Sequence, residues 1–327
     1  MRLLLAALFL ALTAASVLPS VHAQSPDRYA QFKVLGLAPS ARAAALQGSI
    51  GALYGNDAVA HFYNPALLNA QMDRQVAVSY LNHLADISAG TALYVRDVER
   101  LQGTLAASIR FLSYGEFERA NADGILDGTT FGAGDFALSV SYARPLTEDE
   151  RLRGGVTLHT LFATLDDASA SAVAFDAGLV YTIPEQQLTV SAAVVNAGTV
   201  FSSFGEEEDT LPFDLRLAVA KRLANVPLQL TVTGYDLADL SEGSGNAANR
   251  VLNHLTVGGE LFFGKAFALR AGYNDRLRDE LDPQGRFDVA GVGLGFGLEI
   301  RRVGFDYGYT GWSEVGGLHQ FSLRTRI

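Results

Sequence analysis

Residues 259–265 carry the one stretch that reads at first as cofactor chemistry. Gly259 to Lys265 fits the first seven positions of a phosphate-binding loop, but Ala266 stands where a Ser or Thr must reach the magnesium ion. The surrounding pattern is also strand–turn–strand rather than strand–loop–helix, so the match is one of spelling only. Six histidines are present, and His61, His83, His159, His254 and His319 lie singly along the chain. No GxSxG, HExxH or paired-His spacing occurs. A His–Ser pair brought together across neighbouring strands is the one catalytic arrangement that linear spacing would not reveal. Asp123-Gly124 and Asp127-Gly128 could hold calcium in a loop or simply form turns. With no cysteine there is no thiol nucleophile, no thiolate-bound zinc and no disulfide framework. No enzyme activity, cofactor or metal is expected.

The elements that position these residues follow from where the chain keeps its apolar side chains. Of 327 residues 49% are hydrophobic and only 18% charged, with a formal net charge of −10, a balance that argues against nucleic acid as partner. Arg2, the apolar run from Leu3 to Leu18 and the small residues before Gln24 read as a secretory signal peptide over 1–23. Beyond it no apolar run reaches the roughly 18 residues of a transmembrane helix. The hydrophobicity is cut into short segments instead.

From about Gln75 the period is two. Leu255, Val257, Gly259, Leu261 and Phe263 alternate with His254, Thr256, Gly258, Glu260 and Phe262, and Val303, Phe305, Tyr307 and Tyr309 alternate with Arg302, Gly304, Asp306 and Gly308. Such alternation predicts strands with one apolar and one polar face. About fourteen are predicted, at 75–83, 86–96, 101–114, 134–145, 151–164, 171–183, 186–198, 212–222, 227–239, 250–263, 265–274, 286–299, 301–312 and 317–327. An even count of long strands, with tight connections alternating with longer ones at 115–133, 199–211, 240–249 and 275–285, predicts an all-β transmembrane fold. It is a closed antiparallel outer-membrane barrel with both termini in the periplasm. A soluble sandwich or propeller is the competing architecture; it would not need strands of this length.

Residues 24–74 do not alternate. Ser40 is a suitable N-cap for a short helix through Leu46, and Asn56 or Asp57 for another through Phe62. Small apolar residues there fit a plug inside the barrel, with a periplasmic tail as the alternative. The domain plan is therefore signal peptide 1–23, plug or hatch 24–74 and barrel 75–327. Parity places Asp214, Arg216, Glu260, Arg302 and Asp306 toward the lumen, together with the stripe Gly291, Gly293, Gly295 and Gly297. Those glycines would admit another backbone closely or relieve bending in a curved sheet.

Two stretches carry a family resemblance. Pro39-Ser40-Ala41-Arg42-Ala43-Ala44-Ala45-Leu46-Gln47-Gly48 and Phe62-Tyr63-Asn64-Pro65-Ala66-Leu67-Leu68-Asn69 resemble the N-terminal region of the PorV/PorQ family of FadL-like outer-membrane barrels. Residues 79–87, 113–117 and 211–215 are similar to its PorQ branch. The resemblance implies a fourteen-stranded barrel with a partly helical plug whose motif residues are Ser40, Arg42, Asn64, Pro65 and Ala66. It also implies a non-enzymatic role in the attachment complex of the type IX secretion system. There the chain would hold a PorZ-like surface protein beside the sortase PorU and a PorV-like barrel, surrounded by outer-membrane lipid. In that role the outer loops would dock the partner, with Tyr114, Glu116, Phe117, Phe201, Phe204, Glu206, Glu207 and Asp275 as contacts. The alternative is a FadL-like transporter of hydrophobic small molecules with residues 24–74 as a movable hatch.

Overall fold

Alternation of the kind seen from Gln75 onward leaves every second side chain on one face, and closure into a ring then sorts the chain into an inside and an outside. In a computed structural model, which describes residues 32–82, 87–120, 125–205, 210–239, 247–281, 289–313 and 316–327, fourteen strands close in this way. They are β1 (Gln75–Asn82), β2 (Ser88–Val98), β3 (Gly103–Ala120), β4 (Leu126–Pro145), β5 (Leu152–Leu165), β6 (Ala168–Ile183) and β7 (Leu188–Ser202). The ring continues with β8 (Asp214–Arg222), β9 (Leu228–Gly234), β10 (Leu255–Phe263), β11 (Phe267–Asn274), β12 (Val292–Ile300), β13 (Val303–Ser313) and β14 (Gly316–Arg326). Each strand pairs antiparallel with the next, and β1 pairs β14 from Gln75↔Arg326 to Asn82↔His319. No edge is left for water to solvate, which is what a span through lipid requires.

The sorting is the reverse of a soluble protein. Val78, Tyr80, Leu138, Val140, Leu158, Phe175, Leu294 and Leu323 point outward and are exposed, while Ser139, His159, Asp176, Asp214, Glu260, Arg270 and Asp306 are buried inside. An apolar exterior around a polar interior is the pattern of a transmembrane barrel. Turns at one end are short and use single residues in the left-handed region, among them Gln102 (φ 51°), Gln187 (φ 50°) and Arg301 (φ 56°). The other end carries the long connections.

The wall is uneven. Strands β3 to β7 run 14 to 20 residues, and β8 to β12 run 7 to 9. Two helices cover the low side, α2 (Ala247–Asn253) and α3 (Asp275–Leu281), joined by an Asn253 Nδ2 bond to Asp279 Oδ2 of 3.2 Å. Three expectations change here. Within the loop expected at 115–133, residues 115–120 and 126–133 extend β3 and β4 as paired strands, with register shifts at Ser113/Glu116 and Glu118/Ala120. Residues 275–281 and 247–253 are helical. The strands predicted at 227–239, 250–263 and 286–299 run Leu228–Gly234, Leu255–Phe263 and Val292–Ile300, and the start expected for the second belongs to α2.

Residues 32–74 lie inside the ring. A short helix α1 (Ala41–Ala45) starts at Ser40, whose hydroxyl accepts from the Ala43 N–H at 3.2 Å, and 3₁₀ turns follow at Ala58–Phe62, Pro65–Leu67 and Ala70–Met72. Asp57 caps the first of those turns, as its position predicts. Helix α1 reaches the wall where glycines leave room: a Cβ on Gly293 would stand 2.6 Å from the Ala45 carbonyl oxygen, and one on Gly308 would collide with that of Ala41. Close approach of the plug backbone thus accounts for Gly293, whereas a Cβ on Gly295 would meet the Tyr307 carbonyl oxygen of β13 and the Ala45 Cβ. Gly291 does not belong to this stripe. It precedes β12 with φ +75°, packed against Asn274 and Arg278.

Candidate functional site

The lumen holds two polar clusters with an open space between plug and rim. In the first, the Arg42 guanidinium reaches from α1 across the lumen. Its Nε and Nη2 donate to Glu260 Oε1 at 2.9 Å and Oε2 at 2.5 Å, and its Nη1 donates to Asp57 at 3.0 Å. Glu260 is fully buried and also accepts from Arg270 at 2.8 Å; Arg270 in turn donates to Asp306 at 2.6 Å. Arg324 extends the chain to Asp306 and Glu299. Burial works against the Arg42 charge, yet the Glu260 and Asp57 carboxylates outweigh it and hold the guanidinium pKa above its ordinary value. The same contact keeps the Asp57 carboxyl ionised against burial.

A second attachment is made by Asn64, Pro65 and Ala66. Proline opens the 3₁₀ turn at its first position, and the Asn64 Oδ1 accepts from the Ala66 N–H at 2.9 Å. The Asn64 amide then donates to the Leu179 and Ala192 carbonyls of β6 and β7, each at 3.1 Å. The Ala41 N–H, which donates to Ser322 Oγ at 2.8 Å, and Arg42 at one end and Asn64 at the other therefore hold the plug to opposite arcs of the wall.

Above the plug lies a cavity of about 490 Å³, walled on its apolar side by Leu81, Phe213, Trp312 and Leu318 and roofed by Arg276 and Leu277 of α3. Its size and mixed lining suit a small ligand. Arg276 is fixed there by Asp236 at 2.7 Å and Glu280 at 2.8 Å. A smaller cavity of about 70 Å³ adjoins it, touching Phe62, Arg110, His159 and Asp176.

Beside that smaller cavity the fold builds an arrangement that linear spacing hides. Ser139 Oγ lies 2.7 Å from His159 Nδ1, and His159 Nε2 lies 2.8 Å from Asp176 Oδ2. Ser139 and His159 are cross-strand partners of β4 and β5, and Asp176 follows on β6. The order of groups is that of a base-activated nucleophile. Ser139 is only 1% exposed, however, and lines neither of these two cavities, and its hydroxyl is engaged with the imidazole inside the wall. The arrangement acts as a strut within the wall.

Of the residues expected to face the lumen, Asp214, Arg216, Glu260, Asp306, Gly293 and Gly295 do so. Arg302 does not: it is exposed in the turn between β12 and β13, because the alternation was carried one residue past the strand. Among the expected outer contacts, Tyr114, Glu116 and Phe117 lie in β3, and the Phe117 ring stacks on Phe131 at 5.5 Å. Phe201 ends β7 at 68% exposure. Phe204 packs inward against the apolar cluster around Val34 and is not a free anchor. Asp275 opens α3 and accepts from the Tyr273 hydroxyl at 2.8 Å. Glu206 and Glu207 lie outside the described residues, as do the signal peptide and the N-terminus expected in the periplasm. The described chain begins in the long-connection half, with Phe32 and Val34 packed beside Leu81, Leu112 and Leu318.

No protein-family model matches the chain, and no curated protein matches it in sequence. Its fold is similar to that of a Pseudomonas aeruginosa FadL homologue, with TM-score 0.52 and 12% identity over 88% of this chain and 98% of that one. Two mutants of the TodX monoaromatic hydrocarbon channel superpose with TM-score 0.54. The deltaS2S3 form is 12% identical over 88% of this chain and 99% of its own, and the deltaS2 form 13% identical over 90% and 98%. The shared feature is the FadL-like barrel itself.

Proposed function

We propose that the chain is a bacterial outer-membrane conduit that admits a small hydrophobic molecule from the cell surface into the lumen. The observation that carries this reading is the cavity of about 490 Å³ held between α3 and the plug, with Leu81, Phe213, Trp312 and Leu318 on its apolar side. A FadL-like neighbour described as a monoaromatic hydrocarbon channel supports the same class of ligand. The short-turn end then faces the periplasm, the plug is the inner gate, and the Arg42–Glu260 pair keeps it shut. The test is uptake of a radiolabelled monoaromatic hydrocarbon at low concentration by intact cells. Cells carrying the chain should take it up faster than cells lacking it, and equal rates would sink the proposal.

One observation favours a second reading, the surface anchor of a type IX secretion complex. The β3–β4 hairpin rises beyond its neighbours and presents Phe117, Ile125 and Leu126 exposed at its tip. Buried aromatic anchors are what a docked partner uses. Under this reading a tagged barrel recovered from solubilised outer membrane brings down a PorZ-like protein and the sortase; recovery of the barrel alone dismisses it.

A further inference from the structure

Charge pairing in the lumen is lopsided. On the β10–β14 arc the guanidiniums of Arg42, Arg270 and Arg324 all meet carboxylates. On the opposite arc Arg110, 6% exposed, meets none among the described residues. Its Nη2 donates to the Leu37 carbonyl at 2.6 Å and its guanidinium lies over the Phe62 ring at 5.3 Å, leaving most of its N–H donors unused. Arg153 is likewise buried without a carboxylate, but it caps the Leu68 carbonyl and lines neither cavity.

Arg110 lines the cavity of about 70 Å³, whose far wall is Arg216. Arg216 spends its Nε on Asp214 at 2.5 Å and lies over the Tyr63 ring at 5.3 Å. The carboxylates nearby are already engaged. Asp176 accepts from His159 at 2.8 Å and from the Asn196 N–H at 2.7 Å, while Asp214 accepts from Arg216 and the Asp236 N–H. Free capacity in the pocket is therefore on the donor side. A buried guanidinium with spare donors, facing a space with room for several waters, is completed by an acceptor anion. The two cavities share Leu35, Gly36, Leu37, Tyr63, Asn196 and Arg216 as lining, so they lie side by side with Arg216 on both.

We infer that the small cavity is a carboxylate-binding well, and that the vestibule prefers a compact aromatic carboxylate over a neutral hydrocarbon of the same size. The carboxylate takes the Arg110 and Arg216 donors, and the ring lies in the larger cavity against Phe213 and Trp312. This inference rests on the vestibule reading above and adds the charge of the ligand to it.

Trp312 is the only tryptophan of the chain and lines the larger cavity, so its emission reports occupancy. The full barrel in detergent is titrated with benzoate and toluene by Trp312 emission, and with acetate by thermal shift. Arg110→Met and Arg110→Lys variants are run alongside, each checked for a folded barrel by heat-modifiable gel migration. Wild type should bind benzoate about tenfold or more tighter than toluene, Arg110→Met should erase that margin while leaving toluene unchanged, and Arg110→Lys should keep part of it. Toluene binding as tightly as benzoate overturns the inference and leaves the conduit standing. Stabilisation by acetate that needs Arg110, with no response to toluene, upholds the carboxylate well and removes the hydrocarbon conduit. Silence from all three overturns both.

Discussion

Arg42 concentrates the energetics of the gate in one side chain. It serves two buried carboxylates, so removing it leaves Asp57 without its ion-pair partner and Glu260 with Arg270 alone, at a cost of about 3–5 kcal/mol. Arg42→Met should therefore speed amide exchange across residues 41–46 without altering the barrel strands; unchanged exchange there would show that the pair does not hold the plug. His61 adds a pH dependence. Burial pushes its pKa down to about 4; the ring donates from Nδ1 to the Ala58 carbonyl at 2.6 Å, and its buried Nε2 has no partner among the described residues. Because the unfolded imidazole titrates near 6.5, the docked plug binds fewer protons than the released one. Docking is thus fully favoured above about pH 6.5 and weakens as pH falls through about 4. Asp57, whose pKa is also depressed, acts in the same direction. Amide exchange over residues 58–68 followed from pH 7 to 4 should show this loosening, and His61→Phe should shrink it. At this scale parity located Asp214, Arg216, Glu260 and Asp306, since a strand side chain has only two directions to choose from. The Ser139–His159–Asp176 strut and Arg110, which meets no carboxylate among the described residues, were not legible. Their meaning lies in neighbours 17 to 73 residues away.

Among the elements, strands declared themselves wherever alternation was unbroken and failed to do so where glycine interrupted it. The β3–β4 extension contains Gly115 (φ +80°), Gly128 (φ +80°), Gly132 and Gly134, a composition that reads as loop. Pairing continues there because the two halves of one hairpin stay in reach of each other through two register shifts. Removing residues 116–131 should leave a heat-modifiable barrel of normal migration, and a chain that no longer folds would show that the extension nucleates the wall. The Asn64-Pro65-Ala66 turn is the opposite case: a motif visible in sequence whose purpose needed the fold. Asn64→Ala removes a cap and two wall bonds, a loss of about 2–4 kcal/mol of plug attachment. Limited proteolysis should then cut between residues 54 and 70 in the variant and not in the wild type.

Taken whole, the molecule is a ring with its polar groups inside, an uneven wall and a plugged lumen. The two-residue alternation from Gln75 onward pointed to that arrangement in outline, because it divides each strand into an apolar face for lipid and a polar face for the lumen. The height of the wall on each side and the two helices that roof its low arc come from strand ends, which periodicity defines poorly. The vestibule is a consequence of all three, since it exists only where α3, the plug and the β8–β14 arc leave space between them. Its occupation by a small apolar molecule is the central claim. Crystals of the full barrel soaked in bromobenzene test it most directly, through the anomalous signal of bromine. A peak inside the lumen among Leu81, Phe213 and Trp312 is the predicted result. Peaks confined to the lipid-facing exterior, with the lumen empty, would contradict it.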